Sequence, residues 1–420
     1  MMNECKIDRD RLERNLYELA KIGRNEHGGI DRALGSKADL LAREWLIDYW
    51  TSQLKLKVKH DAIANMWVRM DGRENIPPIV IGSHHDAVPD GGMYDGALGV
   101  LASTEIVQAL IENGVVTRHP IEIVSFTGEE PNPYNVSTLG SKVISGRLNK
   151  EDLRKLSSYI DGSSLAECIK KAGGDIENAD AALIAPGQIS AFIELHIEQG
   201  KRLYEKALTS ASVNCITGIY RENINIYGEA NHAGTTIMPD RHDSFLAAAE
   251  FALAYEEIIK EEKRDDVVGT IGYAKVYPNA ASIIPGEVEL ILELRCCDEE
   301  IRQRVIKKLD DITEGVERKR GVRIERKLNL NQKEMIMDRQ IVDAVNRGIE
   351  AVGQSPIELV SMAGHDAANM QRVTKSAMIF VQSIDGKSHC PQEKTDMACI
   401  EETTNALLNA VLILDKEMDV

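Results

Sequence analysis

The sequence predicts an α/β fold, a central mixed sheet flanked by helices, with a smaller α+β domain inserted into it. Three observations predict it. Short apolar runs that read as strands alternate with amphipathic helical stretches over roughly the first half of the chain. From about residue 213 to 330 the order becomes β-α-β-β-α-β, which folds as a four-stranded sheet with two helices on one face. Beyond 330 the α/β alternation returns, so the last stretch should complete the first sheet. The expected domains are 1–212 with 331–420, and an inserted 213–330.

A length of 420 residues exceeds what one core usually serves. Apolar residues make up 43% and charged residues 28%, ordinary for a globular chain. The net charge of −17 argues against nucleic acid or an anionic membrane as a partner. No run of ~18 apolar residues is present to cross a bilayer. The start, Met1-Met2-Asn3-Glu4-Cys5-Lys6, lacks the apolar core of a signal peptide. Seven cysteines at irregular spacing, with no Cys-x-x-Cys, predict reduced thiols in a cytoplasmic protein rather than a disulfide framework.

In chain order, residues 8–22 carry apolar residues at helical spacing up to Gly23. A second helix is expected over 36–54, with Ser36 as N-cap and Asp39 in its first turn. Short strands follow at 56–60 and 64–70, then the turn Asp71-Gly72. Ile79-Val80-Ile81 reads as a buried strand feeding the loop 82–96, after which a helix over 98–112 closes at Gly114. The strand 121–126 runs straight into Thr127-Gly128-Glu129-Glu130. Helices at 137–147 and 164–172 precede a strand that delivers His196. In the inserted stretch, strands at 224–227, 268–276, 287–296 and 321–328 go with helices near 243–262 and 299–318. The final part reads as helix 338–352, strands 357–360 and 377–381, and helix 398–415.

Open α/β sheets bind ligands at the carboxyl ends of their strands. Here those ends deliver His84 and Asp95, Glu129 and Glu130, His196 and, beyond 377–381, His389. Singly each is an ordinary polar residue. Together they are the histidine and carboxylate set that suits zinc, manganese, cobalt or nickel. A hydrolytic site of two ions ~3.5–4 Å apart needs four or five ligands, a bridging carboxylate and a base. His84, Asp95, Glu130, His196 and His389 are the ligand candidates. His85 competes with His84, because neighbours on a strand point to opposite faces and spacing does not choose between them. Asp86 either orients the second ring nitrogen of His84 or stabilises the turn. Of Glu129 and Glu130, one binds metal and the other stays free as general base.

Several segments recur together in a known order. They are the loop 82–96, Glu129-Glu130 with Leu139-Gly140-Ser141, His196-Ile197-Glu198-Gln199-Gly200, Asn231-His232-Ala233-Gly234-Thr235-Thr236, Ile284-Pro285-Gly286, Ala363-Gly364-His365-Asp366-Ala367 and Ser388-His389. In them the chain closely resembles the hydantoinase/carbamoylase-type amidohydrolases. These are the N-carbamoyl-L-amino acid hydrolases and allantoate amidohydrolases, which group with the dimetal aminoacylases and carboxypeptidases. The resemblance covers essentially the whole chain. It implies a dimetal exopeptidase-like catalytic domain and a ferredoxin-like lid that pairs subunits into a homodimer. It implies His84 and His196 on one ion, Glu130 and His389 on the other, Asp95 bridging, Glu129 as base and Asp86 as orienter. It also implies that Gln199, His232 and His365 meet the substrate, His232 from the inserted domain and from a dimer partner. Arg295 would take the substrate carboxylate, for which a planar guanidinium is well shaped.

Departures from the family pattern concern the substrate rather than the metals. Pro131-Asn132-Pro133-Tyr134 follows the glutamate pair where a Gly and an Arg-Phe are usual. Ser282 stands where a substrate-binding asparagine is usual, Ile237 replaces the proline of Thr-Thr-Pro-Met, and Glu293 replaces the aspartate of Asp-x-Arg. Serine reaches less far than asparagine and brings no amide nitrogen. The sequence thus reads as a metal-dependent amidohydrolase that cleaves a linear amide C–N bond of an N-carbamoyl-L-amino acid or an allantoate-like ureido acid. An aminoacylase or dipeptidase with the same metals is the runner-up. A non-catalytic metal-binding scaffold, which has no need of Glu129, is more remote.

Overall fold

The computed structural model describes residues 5–418. Residues 1–4, part of the start read as lacking a signal-peptide core, lie outside the described residues. The chain divides into two compact units. One runs to Asn214 and takes in Met337–Leu359 and the chain from Gly364 onward; the other is Cys215–Ile336 with Val360–Ala363.

The first strands are β1 (Val58–His60), β2 (Met66–Met70), β3 (Ile79–His84), β4 (Ile121–Phe126), β5 (Ala191–Ile197) and β6 (Ser210–Ile216). Then come β7 (Gly218–Tyr227), β8 (Asn231–His232), β9 (Val268–Tyr277), β10 (Ile283–Ile284), β11 (Glu287–Cys296) and β12 (Arg323–Gln332). The last are β13 (Met335–Ile336), β14 (Glu358–Ser361) and β15 (Lys375–Val381).

In the first unit the sheet order is β1-β2-β4-β3-β5-β15-β6. The four neighbours β4, β3, β5 and β15 are mutually parallel, and β1, β2 and β6 join antiparallel, so the sheet is mixed. β3 and β5 are buried at every residue. That explains their near-continuous apolar runs, because parallel strands are covered on both faces. Helices Ala97–Glu112, Arg339–Ala351 and Met397–Glu417 pack on this sheet. The last is long and apolar enough, at a mean hydropathy of 1.3, to pass for a membrane span. Here it is a core helix, with Ile400, Leu407, Leu408, Val411 and Leu414 buried. The chain leaves β3 for β4 on one side and later adds β5 on the other. That reversal is the switch point at which open sheets bind ligands.

The second unit is a four-stranded antiparallel sheet, β12-β7-β11-β9, with helices Ser244–Glu261 and Glu299–Arg320 packed on it. The chain order is β-α-β-β-α-β, a ferredoxin-like arrangement. Alternate residues Ile224, Ile226, Val288, Leu290, Leu292 and Leu294 are buried with Phe251, Val305 and Leu309, the period of two that one covered face imposes.

One expectation is corrected. Cys215 and Cys297 form a disulfide, so the seven thiols are not all free. Antiparallel pairing puts Cys296 opposite Gly218, which brings Cys297, just past β11, toward Cys215, near the end of β6. Strand register makes this pair, and no sequence interval announces it. Cys5, Cys168, Cys296, Cys390 and Cys399 remain free.

Candidate metal centre

The carboxyl ends of the four parallel strands share one edge, and the site is built there. His84 ends β3, His196 sits one residue before the end of β5, and β4 leads through Thr127-Gly128 to Glu129 and Glu130. Besides Glu194, His196 and His365, two sets of potential ligand atoms each lie within 4.8 Å of one another: His84, Asp95 and His196, and Asp95, Glu130 and His389. Asp95 belongs to both, and its two oxygens divide between them. Oδ1 lies 3.6 Å from His84 Nε2 and 3.2 Å from His196 Nε2, while Oδ2 lies 3.3 Å from His389 Nε2. Glu130 Oε1 is 3.5 Å from the same His389 nitrogen.

Backbone carbonyls set the rings. His84 Nδ1 lies 3.1 Å from the Asp86 carbonyl oxygen and His196 Nδ1 lies 3.0 Å from that of Ile197. Each Nδ1 therefore carries the hydrogen and each Nε2 presents a lone pair to the site. Gly96, at φ +62, makes the loop possible, since a Cβ there would fall within 2.4 Å of the His84 ring. Gln199 and His389 hold left-handed backbone at φ +57 and +55. Strain of this kind, ~1–2 kcal/mol per residue, collects at functional sites.

The donor set fits divalent cations. Imidazoles and carboxylates are the ligands such ions take. Glu130 Oε1 and His196 Nε2 are buried without a hydrogen-bond partner, and buried polar atoms need one. Electrostatics agree. Burial pushes the Asp95 carboxyl up, but the nearby imidazoles of His196, His389 and His84 hold it well below the carboxylate range. Burial drives Glu129 well above that range. Glu130 is pushed up to about 7 by burial and by Asp95. His389 is pushed up to about 9, first by its hydrogen bond to Asp95. Protons and cations compete for such groups, so metal uptake releases protons.

The structure separates the two neighbouring histidines. His85 is fully buried away from the cluster, with Nε2 2.9 Å from Asp39 Oδ1 and Nδ1 2.7 Å from Ser125 Oγ. Asp86 is engaged at both its backbone and its side chain. Its carboxylate accepts the amides of Glu129 at 3.2 Å and Glu130 at 3.1 Å, and lies 3.6 Å from His84 Nδ1. Its backbone carbonyl orients the ring, and its side chain fixes the turn that carries both glutamates. Glu129 Oε2 is 3.6 Å from His84 Nε2. Gln199 Nε2 donates to Asp95 Oδ2 at 2.7 Å. The buried His365 ring packs edge-on against His196, centroids 4.5 Å apart, and burial holds its pKa well below the usual value.

In the second unit, His232 Nδ1 accepts the amides of Gly234 at 3.0 Å and Thr235 at 3.2 Å. Its hydrogen therefore sits on Nε2. Ser282 is its neighbour across the β8–β10 ladder, where Ile283 pairs with His232 and the Ser282 carbonyl accepts the Ala233 amide at 2.9 Å. Arg295 is not with them. It sits at the far end of β11, held by Glu293 Oε1 and the Met362 carbonyl, each at 2.7 Å.

Two buried acids escaped the sequence reading. Glu194 accepts from Ser83 Oγ and the Ala367 amide, both at 2.8 Å. A charge inside the apolar run of β5 was the available signal for it. Glu393 accepts the amides of Tyr94 and Asp95, 299 and 298 residues upstream, and nothing local signals that.

A family model described as peptidase family M20/M25/M40 matches residues 80–413. The chain is 36% identical over 388 residues to an N-carbamoyl-L-amino acid amidohydrolase of Geobacillus stearothermophilus, covering 92% of this chain and 94% of that one. It is 31% identical over 400 residues to a ureidoglycolate hydrolase of Arabidopsis thaliana, covering 94% and 84%. Among solved structures, a hydantoinase/carbamoylase family amidase from Burkholderia multivorans matches with a TM-score of 0.90 at 31% identity over 99% of both chains.

Proposed function

This chain belongs to peptidase family M20/M25/M40, and from that membership we infer a metal-dependent amidohydrolase acting on the linear C–N bond of an N-carbamoyl-L-amino acid or an allantoate-like ureido acid. The observation that carries the reading is the division of Asp95 between two ligand sets, with Glu129 beside them and in neither. One ion is assigned to His84, Asp95 and His196, the other to Asp95, Glu130 and His389. Zinc, manganese, cobalt or nickel suits these donors.

Bound ions of this kind polarise a carbonyl and acidify water. Glu129, aimed by the amide contacts of Asp86, takes a proton from the attacking water and returns it to the leaving nitrogen. Burial raises its proton affinity, which suits a group that must both accept and release. His232 Nε2–H supplies a donor for the developing oxyanion. Arg295 takes the substrate carboxylate, and Gln199, Ser282 and His365 complete the contacts.

The placement of these contacts supports a homodimer through residues 213–330. His232 and Ser282 lie near the Glu287 end of β11 and Arg295 near its other end, roughly 27 Å along a strand of this rise. A ureido acid is far shorter, and a site shared by two copies would bring both contacts to one substrate. Exposed Met238, Phe245 and Leu253 offer an apolar face for that pairing. The partners are a small-molecule substrate and a second copy; at a net charge of −17 neither nucleic acid nor membrane is one. The cytoplasm is the proposed compartment.

The test is ammonia release from N-carbamoyl-L-amino acids and allantoate by chelated protein reloaded with manganese or zinc. Metal-dependent release is expected. Hydrolysis of N-acyl amino acids or dipeptides instead would replace this reading with the aminoacylase or dipeptidase one. A metal-loaded protein inert to all of them would be a scaffold.

A further inference from the structure

Asp95 and His389 come from opposite ends of the chain, yet one buried carboxylate holds both loops. Glu393 Oε1 accepts the amides of Tyr94 at 2.9 Å and Asp95 at 3.1 Å. Its Oε2 lies 2.9 Å from Ser388 Oγ, and that hydroxyl is also 2.9 Å from Asp95 Oδ2. Glu393 is 6% exposed. The loop behind it is closed by the Glu393 amide on the Cys390 carbonyl and the Ile384 amide on the Lys394 carbonyl. Gly92 admits it, since a Cβ there would fall 2.0 Å from Glu393 Cδ.

A neutral amide oxygen would accept the same two backbone hydrogens. Burying a carboxylate next to Asp95 instead is unfavourable unless positive charge offsets it. Ser388 has a single hydroxyl hydrogen, and it can serve Asp95 or Glu393 but not both. A cation taken by Asp95 Oδ2 and a Ser388–Glu393 hydrogen bond are thus favoured together. His84 and His196 are set by other groups, the carbonyls of Asp86 and Ile197.

We propose that Glu393, acting through Ser388 and the Tyr94 and Asp95 amides, is the positioning residue of the Asp95–Glu130–His389 cation site and sets its affinity separately from the His84–Asp95–His196 site. This rests on the two-cation reading above. The experiment strips the full-length protein of metal and titrates it with manganese by calorimetry and electron paramagnetic resonance. Wild type, Glu393→Gln, Glu393→Asp and Ser388→Ala are compared, with circular dichroism and Tm as checks on folding. Wild type should take up two ions. Glu393→Gln should weaken one by about 10–100-fold and leave the other unchanged, and Glu393→Asp should recover part of the loss. Its kcat should be restored by excess metal, at unchanged KM. Should Glu393→Gln fail to fold, Ser388→Ala, which removes one oxygen, reads the same split. Equal weakening of both ions, or of neither, overturns the proposal. Uptake of one ion or none by wild type overturns the two-cation reading itself, a result visible before any variant is made.

Discussion

Asp86 shows how much one residue can do with both its ends. The carbonyl turns the His84 ring and the carboxylate pins the Glu129 and Glu130 amides. Glu129 is therefore aimed by its backbone, which leaves its side-chain oxygens available for the proposed proton transfer. Glu129→Gln preserves shape and the ligand sets. It should leave the number of bound ions unchanged and lower kcat by about 10²–10⁴-fold, the usual contribution of a general base. Turnover retained by the metal-loaded variant would rule the assignment out. The proposed ligands were legible in the sequence because each lies on or beyond a readable strand. The choice between His84 and His85 was not. Alternation says only that they oppose each other, and the phase is set by Asp39 and Ser125, which receive His85 from a helix and a neighbouring strand.

At the scale of elements, helix Lys37–Ser52 is joined to the strand ends by a buried polar network. Asp39 meets His85 and Arg43; Arg43 also donates to the Ala64 carbonyl at 2.8 Å and Thr127 Oγ1 at 3.2 Å. Burial pushes the Asp39 carboxyl up, but the Arg43 charge and the His85 hydrogen bond more than offset this and leave it lowered. Burial lowers His85. In both cases the unfolded chain binds more protons, so stability rises with pH. The Asp39 contribution is complete above its unfolded value of ~3.9 and is lost as pH falls through its lower folded value. The His85 contribution begins to fade below its unfolded value of ~6.5. Asp39→Asn leaves Arg43 buried and unpaired and should destabilise the first unit by ~3–5 kcal/mol at neutral pH, with a shallower loss in acid. Urea midpoints from pH 2 to 7 test both, and an unchanged acid slope would show that Asp39 is not the group responsible. Most helices and strands were legible from periodicity. β6 was not, because its small and polar residues, Ser210, Ser212 and Asn214, lack an apolar alternation strong enough to mark a strand.

For the whole molecule, register and strand order are what the sequence withheld. It announced a mixed sheet with an inserted β-α-β-β-α-β unit, but not the neighbours that bring Cys215 to Cys297 or Glu393 to Asp95. The disulfide spans 82 residues, and loop closure of that length stabilises by up to ~4–5 kcal/mol. Thiol titration of denatured, unreduced protein should count five groups, and seven after reduction. Cys215→Ser should lower the urea midpoint of the second unit and leave that of the first. Seven thiols before reduction would show the pair to be open.

The placement of β15 between β5 and β6 has a consequence for how the protein is made. A ribosome delivers β3, β4, β5 and β6, then the entire second unit, before β15 emerges. Until then the growing sheet holds open a slot with two unpaired edges, which invite foreign strands. His84, Asp95 and His196 are already present at that stage. His389 arrives 190 residues after Gln199. On the two-cation reading, the residues proposed for one ion are therefore made long before His389, and the second site waits for the late strand to close the slot.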